Sequence, residues 1–207
     1  IILYKMSKIK IKEIEPENKI VLSKFDFSCD EKDLTIPKPL PQMLNFFLLI
    51  CGRPGSGKTS LILNLIAKRG KLYNKKFNRI YIFSPSLMTM KNNPFEDLPE
   101  DQTYTSLDYG ELENVLQDIK DTGEKILFVM DDVVNDMKKM EIQTTISKML
   151  MNRRHLTGAG GSCSFIITTQ VYNKIPAPIR KTASHIIIYH TKNKKELDTI
   201  YDELIIV

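Results

Sequence analysis

Residues Gly52 to Thr59 read Gly-Arg-Pro-Gly-Ser-Gly-Lys-Thr and satisfy G-x-x-x-x-G-K-[ST] through Gly52, Gly57, Lys58 and Thr59. No other stretch restricts the fold as tightly, because such a loop works only between a buried strand and the first turn of a helix. Both flanks are present. The preceding run Met43–Cys51 (MLNFFLLIC) is almost unbroken apolar, as a central parallel strand buried on both faces would be. Behind the loop, Leu61, Ile62, Leu65 and Ile66 recur at helical spacing. The glycines let backbone N–H groups converge on a phosphate, and the helix presents the positive end of its dipole. Lys58 is expected to reach β- and γ-phosphate oxygens and the Thr59 hydroxyl to ligate Mg²⁺. The expected nucleotide-binding set is therefore Gly52, Arg53, Pro54, Gly55, Ser56, Gly57, Lys58, Thr59 and Ser60, with ATP and Mg²⁺ as cofactors. The plainer alternative, a glycine turn beside a surface lysine, requires neither flank.

A chain of 207 residues is most simply one domain with a substantial core. Residues 1–41 differ from the rest. Lys8–Lys12 (KIKIK) alternates with period two, Ile20–Leu22 with Phe25 and Phe27 makes a second strand-like piece, and Pro37, Pro39 and Pro41 then break regular structure. This segment is expected to be a short β-rich extension, with a disordered basic arm as the alternative. The P-loop domain proper is expected over 42–207. Strands are predicted at Arg79–Phe83, near Thr103–Thr105, at Ile126–Met130, at Ser164–Thr169 and at Ile186–Tyr189. Helices are predicted at about Asp108–Lys120, Met137–Asn152, Pro176–Thr182 and Lys194–Leu204. The polar stretch from Ser84 to Asp101 is too long for a casual connection. Strands separated by helices give a mainly parallel sheet covered on both faces, an α/β fold.

Charge decides little. There are 30 Lys and Arg against 25 Asp and Glu, a formal +5, compatible with nucleic acid and with ordinary solvated faces. Cys29, Cys51 and Cys163 show neither metal nor redox spacing, which fits a reducing setting. No stretch is long and apolar enough to span a bilayer, and IILYKMSKIK lacks the core of a secretory signal.

The strand Ile126–Met130 (ILFVM) runs straight into Asp131-Asp132, the Walker B arrangement. Asp131 is expected to hold Mg²⁺ beside the phosphates, and Asp132 to activate the attacking water as general base. A polar strand end or a helix-capping acid is the alternative for both. Gln170, ending FIITTQ, could orient that water with its amide, or simply solubilise a strand end. Arg153 and Arg154 could act in a neighbouring subunit's site or oppose a helix dipole, and Arg180 is a third candidate. His155, His185 and His190 lack metal-ligand spacing.

GRPGSGKTS, IYIFSPS, ILFVMDD, NRRH, FIITTQ and IPAPIRKTASHIIIY, in this order, resemble the genome-packaging ATPases of poxviruses, other large DNA viruses and virophages, within the FtsK/HerA superfamily. The resemblance runs from about Pro41 to Tyr189. It implies a RecA/ASCE-like P-loop NTPase, a three-layer sandwich in which ATP hydrolysis drives double-stranded DNA. It assigns hydrolytic roles to Asp132, Gln170 and one of Arg153 or Arg154, with Asp132 one methylene shorter than the superfamily's usual Glu. It further implies a homo-oligomeric ring, most often a hexamer, with capsid or portal-like partners. The implied location is the viral factory in the host cytoplasm, with the virion as a second. DNA-contacting candidates are the cations in Met88–Asn93 and Lys192–Lys195. Other readings are a kinase-like P-loop enzyme and a nucleotide-gated assembly protein with slow turnover. A GTPase is disfavoured because Thr191-Lys192-Asn193-Lys194 lacks the guanine-reading aspartate.

Overall fold

The computed structural model describes residues 31–66, 72–73, 75–86, 95 and 98–205. Lys8–Lys12, Ile20–Phe27, Cys29 and the Met88–Asn93 stretch lie outside the described residues. Six strands form one parallel sheet: β1 (Phe47–Cys51), β2 (Arg79–Phe83), β3 (Thr103–Tyr104), β4 (Lys125–Met130), β5 (Ser162–Thr169) and β6 (His185–Ile188). Their order is β3-β2-β4-β5-β1-β6. The helices are α1 (Lys58–Ile66), α2 (Tyr109–Ile119), α3 (Met140–Met151), α4 (Ala177–Arg180) and α5 (Lys194–Leu204).

Strand period two sorts the core into two layers. Phe47, Leu49, Phe128, Phe165 and Ile167 point to one face, where they meet Leu112, Val115 and Ile119 of α2, Ile146 and Leu150 of α3, Ile179 of α4 and Ile200 of α5. Leu48, Ile50, Leu127, Val129 and Ile166 point to the other, against Ile62, Leu65 and Ile66 of α1. The expected three-layer α/β sandwich is the result. Every residue of β1 and β5 is buried, which explains why β1 reads as an unbroken apolar run instead of alternating.

Two boundaries differ from the expectation. Residues 43–46 do not extend the first strand. Met43 instead makes an isolated antiparallel bridge to Lys32, and the chain joins the parallel ladder only at Phe47. On the same side Ile36 is fully buried, and the Tyr73 hydroxyl donates to the Pro41 carbonyl at 2.7 Å. The third helix starts at Met140, not Met137. A 3₁₀ turn at Asp136–Lys138 comes first, and extended Lys139 (φ −64°, ψ 128°) separates the two.

The register aligns the carboxyl ends of three strands. Cys51 lies opposite Thr169, and Met130 lies opposite Ile167. Sequence neighbours of those residues are thereby brought to one edge, where ligands bind in open parallel sheets.

Candidate active site

The loop from Gly52 to Gly57 leaves β1 at this edge and turns directly into α1. It closes through Ser56 N–H to the Arg53 carbonyl at 3.1 Å, and Gly57 adopts φ +93°, a region side chains avoid. Gly52 is required for a different reason: a Cβ there would lie 2.6 Å from Ser56 Oγ and 2.9 Å from the Tyr189 ring. Tyr189, just past β6, packs on the loop, and its hydroxyl approaches the Gly57 carbonyl at 3.4 Å.

Lys58 is buried, and its Nζ donates to the Gly52 carbonyl at 2.8 Å and the Arg53 carbonyl at 3.2 Å. An ammonium carries three donors, so one remains for an incoming oxygen. Ser56 Oγ is buried without a hydrogen-bond partner. An orphaned hydroxyl and a buried ammonium with a donor to spare, carried by the same loop, fit a phosphate chain. Thr59 Oγ1 donates to Asp131 Oδ2 at 3.1 Å. Hydroxyl and carboxylate oxygens side by side are the hard donors that Mg²⁺ takes, alongside phosphate and water. The expected pair, Thr59 and Asp131, is thus brought together across 72 residues of chain.

Asp131 is 6% exposed and Asp132 is open to solvent. The two consecutive acids diverge because Asp132 takes φ +61°, a left-handed conformation that Asp tolerates better than most residues. Asp131 turns toward Thr59. Asp132 turns outward to Gln170, whose Nε2 donates to its Oδ2 at 2.8 Å. β5 stands between β1 and β4, and Gln170 follows it directly, so the strand-end glutamine and the second acid lie side by side at this edge.

The sequence reading missed Thr168. Fully buried on β5, it donates to Asp131 Oδ1 at 2.6 Å and accepts the Asp132 N–H at 3.1 Å. Its signal was the pair of threonines that follows Phe165-Ile166-Ile167 at the end of the strand. Recognising the partner required the register with β4.

The arginines lie elsewhere. Arg153 Nε donates to the Asn45 carbonyl at 2.6 Å and its Nη1 to the Leu150 carbonyl at 2.7 Å, at the amino-terminal edge of the sheet. Burial, and then the adjacent Arg154 charge, weakens its hold on its proton. With β5 rising about 3.3 Å per residue, this edge is roughly 20 Å from Gln170 of the same chain. Arg154 is exposed beside it, and both line a cavity of about 560 Å³ with Lys32, Lys38 and His185. Arg180 is committed within its own chain. It pairs with Glu203, donates to the Ile175 carbonyl at 2.8 Å and stacks over Tyr172 at 5.3 Å. Among the described residues no cluster of His, Cys, Asp and Glu suits a separate metal, and no helix is long and apolar enough to cross a membrane.

Beneath the loop, the Glu196 carboxylate is 4% exposed. It accepts the Tyr172 N–H at 2.6 Å and the Thr191 hydroxyl at 2.7 Å, and lies 3.6 Å from Cys51 Sγ. Burial, and then this charge, pushes the Cys51 thiol up to about 12, so it stays protonated.

With this geometry established, residues 40–206 match the family described as Poxvirus A32 protein. The chain belongs to that family. It is accordingly a P-loop ATPase. Solved structures with the same fold include the genome packaging NTPase B204 of Sulfolobus turreted icosahedral virus 2 in complex with AMP, at 17% identity and TM-score 0.53, covering 78% of this chain and 83% of that one. B204 of Sulfolobus turreted icosahedral virus, a DNA-packaging ATPase, matches at 16% and 0.52, covering 78% and 84%. The cytoplasmic domain of EssC matches at 19% and 0.55, covering 75% of this chain and 33% of that one. The chain spans less than half (43%) of the Thermotoga maritima RuvB chain it also matches, at 13% identity and TM-score 0.46. No curated protein matches it significantly.

Proposed function

We propose that this A32-family chain hydrolyses ATP to drive double-stranded DNA into a viral capsid. The observation that carries the hydrolytic half is the Gln170–Asp132 hydrogen bond beside the Lys58, Thr59 and Asp131 cluster. A second carboxylate, open to solvent and oriented by an amide, is what activation of water needs. Transfer to a specific acceptor needs no such pair.

Lys58, anchored to the loop carbonyls, offers its remaining proton to phosphate oxygens. Mg²⁺ held by Thr59 and Asp131 would neutralise charge building on the β- and γ-phosphates. Asp132 takes the proton of the attacking water, and Gln170 fixes the carboxylate for that transfer. A cation is still needed opposite the γ-phosphate, and Arg153 and Arg154 stand too far away to serve their own site. We assign one of them to the site of an adjoining subunit in a ring, most simply a hexamer. Residues 1–41 act as an extension to an ATPase domain over 42–207. Capsid or portal-like proteins are the remaining partners, and the viral factory is the place of action.

The test is steady-state ATP hydrolysis with and without double-stranded DNA, over a range of protein concentrations and salt. DNA should stimulate turnover, cooperatively with protein, and stimulation should fade as salt rises because phosphate contacts release counterions. Lys58→Ala and Asp132→Asn should each abolish it. Turnover linear in protein and indifferent to DNA would overturn the motor and favour a monomeric P-loop enzyme. Nucleotide-dependent assembly without turnover would favour the assembly-protein reading.

A further inference from the structure

The two carboxylates of the site come from adjacent residues yet do different work. In an extended strand, adjacent side chains point to opposite faces, and such an arrangement would carry the second acid away from the nucleotide edge. The chain avoids this by turning left-handed at Asp132 (φ +61°) directly after Asp131. That turn leaves a backbone N–H to satisfy, and the acceptor is Thr168 Oγ1 at 3.1 Å. The same hydroxyl spends its one proton on Asp131 Oδ1 at 2.6 Å, while Asp131 Oδ2 takes the Thr59 hydroxyl.

A hydroxyl has a single proton, so the direction of both bonds is fixed. The proton points at the carboxylate, and a lone pair receives the amide. Thr168 is fully buried in a strand buried along its whole length, so this hydroxyl is held by packing. It faces the same core layer as Ile166 and α1 and lies opposite Ile50, one residue before the end of β1.

We propose that Thr168 is a positioning residue of the hydrolytic site: one hydroxyl sets the rotamer of the metal-side acid and locks the turn that presents the water-side acid to Gln170. The proposal rests on the hydrolytic reading above, but the lock itself exists without nucleotide. Replacement by isosteric Val would leave Asp131 Oδ1 without its donor and the Asp132 N–H without its acceptor, at almost unchanged volume. Replacement by Ser keeps both bonds and removes only a methyl group.

The test compares Thr168→Val and Thr168→Ser with the wild-type chain in two ways. In nucleotide-free protein, amide hydrogen exchange at Asp132 should be slow in wild type and in Thr168→Ser, and about tenfold faster or more in Thr168→Val. In turnover, Thr168→Val should lose roughly 10² in kcat, the scale of a misplaced catalytic group. It should need more Mg²⁺ for half-maximal rate, while nucleotide affinity without Mg²⁺ holds. Thr168→Ser should retain kcat to within about fivefold, which a role in core packing alone would not favour over Val. An unchanged kcat in Thr168→Val, equal damage from both substitutions, or unchanged Asp132 exchange would each overturn the proposal. Were wild type to hydrolyse no ATP while Asp132 exchange still responded as described, the hydrolytic reading would fall and the lock would stand.

Discussion

Substitution of Gln170 is the most direct test of the proposed hydrolytic site. The Gln170 amide donates to Asp132, while Lys58 bonds the loop carbonyls and Thr59 bonds Asp131, so its removal should affect the chemical step more than binding. Gln170→Leu is expected to lower kcat by about 10² with KM for ATP changed less than about threefold, as for loss of an interaction made only in the transition state. Steady-state kinetics over an ATP series read both numbers. If KM rises and kcat holds, Gln170 is a binding residue instead. The loop, Asp131, Asp132 and Gln170 were all legible as residue types, since each closes or follows a recognisable run. Thr168 and the anchoring of Arg153 were not, because their partners are 37 and 108 positions away, and only strand register brings them into contact.

At the scale of elements, strands were easier to read than their edges. β2 and α5 fall where the apolar spacing puts them, because turn residues bound them closely. Residues 43–46 and 137–139 were misread because Leu44, Phe46 and Met137 are buried as the neighbouring apolar pattern suggests, whereas the backbone there bonds outside the parallel ladder and the helix. The α2 boundary is set by chemistry visible in sequence. Asp108 caps it, accepting from Gly110 N–H at 2.8 Å and Glu111 N–H at 3.4 Å. Asp108→Ala should destabilise the fold by about 1 kcal/mol. Urea unfolding should show this as a lower midpoint at unchanged slope. A change in slope would mean instead that helix and sheet no longer unfold together.

For the molecule as a whole, the buried thiols set an alkaline limit. Cys51 and Cys163 are pushed by burial to about 12 from an ordinary 9.0, and Tyr81 and Tyr172 to about 12 from 10.0. A raised native pKa means the folded chain keeps protons that the unfolded chain releases. The stabilisation is complete below about pH 9 and is lost as pH climbs toward 12. Each thiol should contribute a slope of about 1.4 kcal/mol per pH unit across that window. Urea titrations at pH 7 and at intervals above pH 9 measure it, and Cys51→Ala with Cys163→Ala should flatten the curve. An unchanged slope in the double variant would show that the thiols are not what titrates. Asp33 marks the opposite limit, since its bond to Lys76, with help from Thr35, holds it at about 2 against the usual 3.8. That contribution persists above about pH 4 and disappears as pH falls toward 2.

The contact between Gly52 and Tyr189 has a consequence for how such chains can diverge. A methyl group at position 52 would stand 2.6 Å from Ser56 Oγ and 2.9 Å from the tyrosine ring, so position 52 cannot grow unless both neighbours give way. Among relatives, a bulkier residue at this loop position should come only with smaller ones in place of both Ser56 and Tyr189. A chain that breaks this coupling would have shifted the last strand away from its phosphate loop.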